Sequence, residues 1–473
     1  MNFSTCIFIF VFFPLCIGGF YLSLFIEHHT KRVRVKNVFL ILASLLFYGW
    51  TGLHNLMGLI VYILLVFVLG KWLQQIKFGL SKIYISICIV ILSSILFYFK
   101  YFNFMNHAID AVIGVNIINH HVYAMAGISF ITFSAISYLI DVYRNDARAG
   151  NLWEVALYLT FFPKIISGPI VLWKDFSNSY LKPSYSLNNF IYGLNRIIIG
   201  LSKKVILADS FGATINNIEA SSSIDCVTAW GCAFLYYLQI YYDFSGYSDI
   251  AIGLSKVFGF NVAENFNFPY RSLSITEFWR RWHISLGNWF KEYVYIPLGG
   301  NRKGKKRTLC NLFIVFFITG VWHGAGMGYL FWGVLHGVCV LGERCLKDTS
   351  FYNKIPSYIK WLATMIIVLI GWEFFRLGSF GETINFLKVM FGFNTMQNIN
   401  FTFQYFFSKK IIILAAMAMA GATIPGKLIN KVIQADISKN IIVIKQIVYI
   451  VLLVVVIICI VNSTYSPFIY FNY

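Results

Sequence analysis

Long apolar runs alternate with short segments that hold most of the charged residues. The first apolar run extends from Thr5 to Ile26, and others follow at Asn37 to Gly52, Asn55 to Gly70 and Ile83 to Phe99. A helix that crosses the hydrocarbon core of a bilayer needs about 20 mostly apolar residues, so these runs predict membrane-spanning helices. The first run has no basic segment before it, which favours a retained helix over a cleaved signal peptide.

The basic loops predict which side of the membrane each end faces. The loops after the first and third runs are rich in lysine and arginine, and cytoplasmic loops carry that excess in membrane proteins. We therefore expect the N-terminus on the opposite side. The residues that carry this prediction are Lys31, Arg32, Arg34, Lys36, Lys71, Lys77 and Lys82.

The middle of the chain is less regular. Asn103 to His121 predicts an external loop or surface helix, and Val122 to Ile140 predicts another span. Val155 to Trp173 is interrupted by prolines and glycines, while Phe190 to Leu207 contains three basic residues. Interrupted helices and intramembrane charges usually line a protein-enclosed cavity, because exposing them to lipid is costly.

One uncharged run is too long for a single span. Asn311 to Gly342 would form a helix of about 48 Å, whereas the hydrocarbon core is about 30 Å thick. The glycine-rich segment Gly324 to Gly328 predicts a break. With three later runs around Trp361 to Trp372, Ile411 to Gly426 and Ile447 to Val461, the pattern predicts an all-α polytopic membrane protein with roughly 11 to 13 spans.

Composition supports this class. Hydrophobic residues make up 58% of the 473 residues and charged residues 12%, which excludes a disordered chain and an ordinary soluble domain. The net charge of +19 fits cytoplasmic loops facing anionic lipids, so we expect membrane lipids and not nucleic acid as the partner. The nine cysteines are scattered without a C-x-x-C pair, and we predict neither a metal site nor a disulfide framework.

Aromatic and basic residues concentrate between Asn261 and Arg307. Ser274 to Glu277 fits a helix-capping box, with Glu277 placed to pair with Arg281. Helical spacing would put Phe278, Trp282 and Trp289 near one face, and Trp279 and His283 on another. The pattern predicts an amphipathic interface helix, or alternatively the floor of a site for an anionic cytosolic substrate.

Three further positions are candidates for chemistry. His323 is an ionisable residue inside an apolar run, flanked by glycines, and suits a general base or a hydrogen-bonded core histidine. For His336 we favour a structural role. Asp243 and Asp249 would lie about 120° apart on an unbroken helix, which argues against a carboxylate pair and favours hydrogen bonding between helices.

Several blocks resemble the membrane-bound O-acyltransferases, in particular the alginate and peptidoglycan O-acetyltransferase branch. They read ISFITFSAISYLIDVYR, FFPKIISGPI, YYDFSGYSDIAIGL, NFNFPYRSLSITEFWRRWHISLGNWFKEYVYIPLGGNRKG, FITGVWHGAG and FWGVLHG. The resemblance implies one integral membrane acyltransferase domain over residues 1–473 with its catalytic motifs in 127–337. It also implies a ring of helices around a central tunnel, with re-entrant or interfacial helices.

The resemblance places the two family histidines at His323 and His283. It implies acyl transfer from a cytoplasmic thioester, with acetyl-CoA as the expected co-substrate and no bound cofactor. His323 would take the proton from the acceptor hydroxyl, while His283 and Trp279 to Trp282 would orient a substrate. Arg280, Arg281 and the Arg302 to Arg307 cluster would attract the donor phosphates or, alternatively, lipid headgroups. Predicted substrate-binding residues are Trp279, Arg280, Arg281, Trp282, Asp243, Ser245, Asn265 and Trp322.

The same branch implies a bacterial inner membrane location, a polysaccharide acceptor and a separate SGNH-type acetyltransferase partner, since no Gly-Asp-Ser-type serine motif occurs in the chain. Three alternatives remain open at this point. They are D-alanyl transfer from a carrier protein, a polysaccharide transporter or flippase, and a non-catalytic scaffold. The transporter would predict inverted repeats, which the sequence lacks.

Overall fold

The computed structural model describes residues 1–30, 34–76, 78–113, 121–181, 183–221, 223–393, 401–424, 439–462 and 468–469, and the regular structure within those ranges is helical. This confirms the all-α prediction. The chain divides into two compact units. The first is built mainly from residues 1–197 and 247–263, and the second from residues 198–246 and 264–469.

The helices of residues 1–202 include two long, four medium and two short ones. A π-helical turn at Phe8–Phe12 leads into the first. Their bounds are α1 Phe13–Thr30, α2 Val35–Gly49, α3 Leu53–Gln75, α4 Phe78–Ile113, α5 Ile128–Tyr143, α6 Leu152–Thr160, α7 Trp173–Leu181 and α8 Leu187–Ser202.

The later helices lie mostly in the second unit, and α10 contributes residues to both units. Short π-helical turns occur at Lys203–Ala208 and Lys291–Tyr295, and a 3-10 turn at Pro269–Arg271. The bounds are α9 Asp209–Glu219, α10 Cys226–Val257, α11 Ile275–Arg281, α12 Ile284–Phe290, α13 Gly304–His323, α14 Met327–Leu346, α15 Ser350–Lys354, α16 Ser357–Leu377, α17 Phe380–Met390, α18 Phe403–Phe406, α19 Lys409–Thr423 and α20 Lys439–Asn462.

Five described helices are long and apolar enough to cross a membrane, by length and composition. Other runs that were predicted to span form shorter helices, such as α2 and α5. The count of 11 to 13 spans and the ring around a tunnel therefore stay predictions. The five candidates are Phe8–Thr30, Leu53–Gln75, Gly79–Ala111, Ser357–Leu377 and Val443–Asn462.

One boundary prediction was wrong. The segment from Asn103 onward is not a separate loop or surface helix at its start, because α4 continues without interruption to Ile113. Residues 114–120 lie outside the described part of the chain. Polar residues are compatible with the interior of a helix, where proline is not, so the mixed composition after Asn103 does not mark a helix end.

The predicted interruption after Val155 is confirmed. Helix α6 ends at Thr160, and the chain is not helical again until Trp173. Side-chain hydroxyl groups bind backbone groups that are left without helical partners in this segment. Ser44 Oγ accepts from Phe162 N at 3.1 Å, and Tyr158 Oη donates to Val171 O at 2.7 Å. Such partners are what permit irregular backbone in an apolar setting.

The predicted break in the long uncharged run is also confirmed. Helix α13 ends at His323 and α14 begins at Met327. The two helices then pack backbone to backbone, because a Cβ atom at Gly333 would lie 2.6 Å from the carbonyl oxygen of Phe316 and 3.0 Å from the Cα atom of Gly320. Small residues allow this close approach.

This contact predicts the effect of adding one methyl group. Gly333→Ala should destabilise the protein by about 1–3 kcal/mol, because neither backbone can move away without disturbing the helix pair. Thermal unfolding in detergent measures the loss. The matched control is Gly342→Ala in the same helix, where an added Cβ would meet nothing within 4 Å; equal destabilisation by both variants would contradict the prediction.

Candidate active site

The aromatic segment folds differently from its helical pattern. Helix α11 ends at Arg281, Trp282 is extended, and His283 adopts a left-handed conformation with φ of 45° before α12 begins. The prediction that Trp279 and His283 share a face of one helix was therefore wrong. The N-terminal cap at Ser274 is confirmed, but Glu277 bonds the amide of Leu273 instead of that of Ser274.

A preceding loop supplies the hydrogen bonds that the interrupted helix lacks. The amide of Ile284 donates to the carbonyl oxygen of Asn265 at 2.9 Å, and the amide of Asn267 donates to the carbonyl oxygen of Arg281 at 2.9 Å. These contacts come from residues 14 to 19 positions earlier in the chain. Helical periodicity carries no signal of them, which is why the break could not be predicted.

His283 is buried beside this loop. Its Nδ1 lies 3.2 Å from Asn265 Oδ1, and its ring meets Phe244 edge-on with ring centroids 4.7 Å apart. Burial lowers the pKa of His283 to about 3. The imidazole is therefore neutral near neutral pH, which leaves one ring nitrogen as a hydrogen-bond acceptor.

His283 also lines a cavity of about 830 Å³ within the second unit. The volume lies within the usual range for small-molecule sites. Helices α11 and α12 form one wall, and α13 and α14 contribute to the other. Apolar side chains dominate the lining, among them Ile284, Leu286, Phe290, Leu312, Val315 and Phe316.

Four basic side chains line the same cavity. They are Arg280, Lys291, Arg344 and Lys347. Only the first of them was predicted at the site. An apolar chamber with several cations suits an anionic ligand that has a less polar end. The exposed Arg302 to Arg307 cluster lies outside the cavity lining, so its role in attracting an anionic donor stays a prediction.

Glu343 of α14 links that helix to α11, and both helices contribute to the cavity lining. Its carboxylate accepts from the amide and the hydroxyl of Thr276, at 2.9 and 2.7 Å, and from the amide of Ile275. These amides form the first turn of α11, where an acidic side chain satisfies otherwise unpaired donors and the helix dipole. The contact fixes the start of α11 against α14.

His323 lies one helical turn beyond the cavity lining. Thr319 belongs to the lining, and His323 follows four residues later at the end of α13. The ring of Trp332 contacts both His323 and Trp279. Its centroid lies 4.8 Å from that of His323 and 5.3 Å from that of Trp279. Trp322 packs against His323 at 4.6 Å. Trp332 thus connects His323 to Trp279, which lines the cavity together with His283.

Two residues that were predicted to bind substrate, Trp282 and Arg281, have contacts within the protein. Trp282 is 1% exposed and stacks on Phe278 at 5.6 Å, outside the cavity lining. Arg281 pairs with Glu277 at 2.8 Å, which confirms the predicted i,i+4 ion pair. In contrast, Trp279 and Arg280 do line the cavity. Substrate binding by all four residues remains a prediction.

Asp243 and Ser245 lie on α10. The carboxylate of Asp243 pairs with Lys204 at 2.8 Å and accepts from the amide of Ile469 at 2.7 Å. Lys204 also contacts Asp209 at 2.7 Å. Ser245 is 2% exposed, and the described residues offer its Oγ no hydrogen-bond partner. A paired, buried Asp243 favours the structural interpretation that the sequence already suggested.

The second carboxylate of this helix has a different partner. Asp249 pairs with Arg196 at 2.6 Å within the first unit, whereas Asp243 belongs to the second. The helix between them is unbroken, as assumed in the angular argument. The two carboxylates therefore serve separate ion pairs.

His336 is surrounded by indole rings. It is fully buried, with its ring centroid 5.2 Å from that of Trp279 and 5.3 Å from that of Trp332.

Within the described ranges no group of three or more His, Cys, Asp or Glu side chains is arranged to hold a metal ion. The absence of a metal site stays a prediction.

The contribution of α14 to the cavity lining was not predicted from the sequence. Glu343, Arg344 and Lys347 follow the apolar part of that helix and resemble an ordinary cationic helix end. The spacing of Arg344 and Lys347 by three residues places both on one face. This was the available signal, but which neighbour that face meets depends on the packing of α11 and α13.

The helical fold, with helices long enough to cross a membrane, and a cavity that combines a histidine with basic residues fit an integral membrane enzyme, and comparison with known proteins shows its family. The profile of the membrane-bound O-acyltransferase family matches residues 84–377. The chain belongs to this family, and it is a multi-pass membrane O-acyltransferase.

Three relatives illustrate the range of the family. The chain is 37% identical to "Probable alginate O-acetylase AlgI" of Pseudomonas aeruginosa over 404 residues, which cover 84% of this chain and 76% of that protein. It is 33% identical to "Peptidoglycan O-acetyltransferase" of Helicobacter pylori, covering 83% and 80%. It is 30% identical to "Teichoic acid D-alanyltransferase" of Bacillus subtilis, covering 55% and 69%.

The buried ion pair on α10 predicts a stability defect when one partner is removed. Asp243→Asn should cost up to about 3–5 kcal/mol, because it leaves Lys204 with less compensating charge. The double variant Lys204→Met, Asp243→Leu should recover part of that loss, since both charges of the buried pair are removed, and only part because Asp209 loses its contact with Lys204. Thermal unfolding in detergent gives both values.

Asp146→Asn, at an exposed position, is the matched control and should unfold like the wild type. If Asp243→Asn were as stable as the control yet bound substrate more weakly, the structural role of Asp243 would be refuted in favour of direct substrate binding.

Proposed function

We propose that this enzyme transfers an acetyl group from acetyl-CoA, a cytoplasmic thioester, towards a hydroxyl of a cell-envelope or secreted polysaccharide. The observation that carries the proposal is the cavity of the second unit, which combines His283 with apolar walls and four basic side chains. The relatives named for alginate and peptidoglycan O-acetylation support the acetyl group and the polysaccharide acceptor.

The chemistry follows from the properties of a thioester. The acceptor oxygen attacks the thioester carbonyl carbon, a C–O bond forms, and the C–S bond breaks. His323 takes the hydroxyl proton and passes it to the departing thiolate, so that the products are an ester and a free thiol. His283 accepts a hydrogen bond that orients a substrate, and the apolar walls exclude water that would otherwise hydrolyse the thioester.

The basic lining supports a phosphate-bearing donor. Arginine and lysine bind phosphate through charge-assisted hydrogen bonds, and CoA carries phosphates at the end opposite the acyl group. In this proposal Arg344 and Lys347 hold phosphate, while the acyl end lies towards Trp279. The rings of Trp279 and Trp332 connect this end to His323.

The proposed cellular setting follows the same branch of the family. The protein acts in the bacterial inner membrane with its N-terminus in the periplasm, as the basic loops predict. An SGNH-type partner in the periplasm or anchored to the membrane completes transfer to the glycan. The similarity to a teichoic acid D-alanyltransferase makes D-alanyl transfer the competing outcome.

The first test compares envelope glycans from cells that have the wild-type protein, His323→Ala or no protein. Mass spectrometry should detect one ester-linked acetate that is lost in both altered strains. His107→Ala, which removes an exposed histidine of α4, is the matched control and should keep the ester. Loss of D-alanine instead of acetate would replace the proposed donor, and full acetylation by a folded His323→Ala protein would refute the catalytic role.

The second test addresses the donor site. Replacing Arg344 and Lys347 by Gln should raise the KM for acetyl-CoA by about 10-fold or more, because each lost charge-assisted phosphate contact contributes about 1 kcal/mol or more. The rate at saturating donor should change less. The measurement is acetyl transfer in membranes at several acetyl-CoA concentrations.

The control for the donor site makes the same change of charge elsewhere. Replacing Arg302 and Lys303 by Gln removes two exposed basic residues outside the cavity lining. An unchanged KM is expected for this control. The opposite result, with the exposed pair more sensitive than Arg344 and Lys347, would move the phosphate site to the Arg302 to Arg307 loop, where donor phosphates were one of two predicted partners.

A further inference from the structure

The side chain of Asn265 occupies an unusual place for a predicted substrate-binding residue. It is completely buried, and its Oδ1 has three neighbours that can donate hydrogen bonds. These are Ser285 N at 3.1 Å, Ser285 Oγ at 2.9 Å and His283 Nδ1 at 3.2 Å. The side chain is therefore engaged with protein groups on the other side of the helix break.

These contacts decide which end of the amide faces His283. A backbone N–H can only donate, so the Asn265 atom 3.1 Å from Ser285 N must be the carbonyl oxygen and not the amide nitrogen. The same oxygen faces Nδ1 of His283. An amide oxygen cannot donate, so a hydrogen bond between it and Nδ1 places the proton on Nδ1. Ser285 Oγ also lies 3.5 Å from Nδ1, but it donates to Asn265 Oδ1 at the shorter distance of 2.9 Å.

The backbone holds the two residues together in the same orientation. The carbonyl oxygen of Asn265 accepts from Ile284 N at 2.9 Å, directly after His283. His283 is one of few described residues other than glycine with a positive φ, a conformation that persists only when its surroundings enforce it. The imidazole is thus fixed by main-chain and side-chain contacts from one residue.

We infer that Asn265 is a positioning residue that holds His283 in the tautomer protonated at Nδ1, which makes Nε2 the acceptor nitrogen of the ring. This assigns Asn265 a role through His283 instead of direct contact with substrate. The inference rests on the proposed function for its catalytic consequence. A neutral Asn is suited to this role, because a carboxylate would favour the charged imidazolium and remove the acceptor.

Two carboxylates near His283 are bound to other groups and so do not hold its tautomer. Asp243 is adjacent to Phe244, whose ring touches His283, but its carboxylate is bound to Lys204. Glu343 is bound to the first turn of α11. The remaining charged or titratable side chains that share the cavity lining with His283 are Arg280, Lys291, Tyr295, Arg344, Lys347 and Tyr352.

The test measures His283 directly as well as catalysis. Diethyl pyrocarbonate modifies the unprotonated imidazole, and mass spectrometry of the detergent-purified full chain gives the rate at His283 from pH 4.5 to 8. The wild type should show little pH dependence. Asn265→Asp, which is nearly isosteric, should shift the midpoint upward by about 2 to 3 pH units, into the measured range, because a carboxylate stabilises the charged ring.

Acetyl transfer provides the second measurement. Asn265→Ala should lower kcat by about 100-fold, the size of effect expected from a misplaced catalytic group, with a smaller change in the KM for acetyl-CoA. Asn265→Asp should lose activity as the pH falls through the same midpoint that the modification reports. Asn267→Asp makes the same change at an exposed side chain two residues away and should match the wild type in both assays.

The two assays separate failure of this inference from failure of the proposed function. If the wild type transfers no acetyl group, the proposed function is refuted, while the modification profile still tests the tautomer. If Asn265→Asp and Asn265→Ala both modify His283 with the wild-type pH profile, the positioning role is refuted. A raised KM with unchanged kcat in Asn265→Ala would also overturn it, in favour of direct substrate binding.

Discussion

Backbone amides and carbonyl groups in apolar surroundings need hydrogen-bond partners within the protein, and this requirement shapes every interruption of the helices described above. After α6 the partners are hydroxyl groups of neighbouring helices, such as Ser44. Between α11 and α12 they come from Asn265 and Asn267. In the first turn of α14, just after the break from α13, the amide of Gly328 donates to the carbonyl oxygen of Gly378 at 2.9 Å. Each interruption is possible only because another segment closes it.

Two of these interruptions carry the candidate chemistry. His283 lies at one break and His323 lies immediately before another. A residue at such a position is held by contacts from outside its own helix, so its side chain can face a cavity or a neighbouring ring. Trp332 contacts His323 and also Trp279, a residue that lines the cavity together with His283. The same requirement that limits where helices can stop thus concentrates polar chemistry at their ends.

Charged groups of the second unit have two different uses. Carboxylates such as Glu343 and Asp243 are used within the protein, at a helix terminus and in a buried ion pair. Cations such as Arg344 and Lys347 line the cavity. Burying a carboxylate without partners is costly, so each is matched by donors from a second helix. The result is an excess of positive charge at the place where an anionic donor is proposed to bind.

The sequence by itself determined the helical class, the break at Gly324, the cap at Ser274 and both candidate histidines. These features depend on local signals, which are the length of an apolar run, a glycine cluster, a capping residue and the resemblance of contiguous blocks. Only the tertiary structure decided that the aromatic helix stops at Arg281, that Asn265 faces His283 and that α14 lines the cavity. Those features depend on hydrogen bonds and packing between residues far apart in the chain, for which periodicity along one helix contains no information.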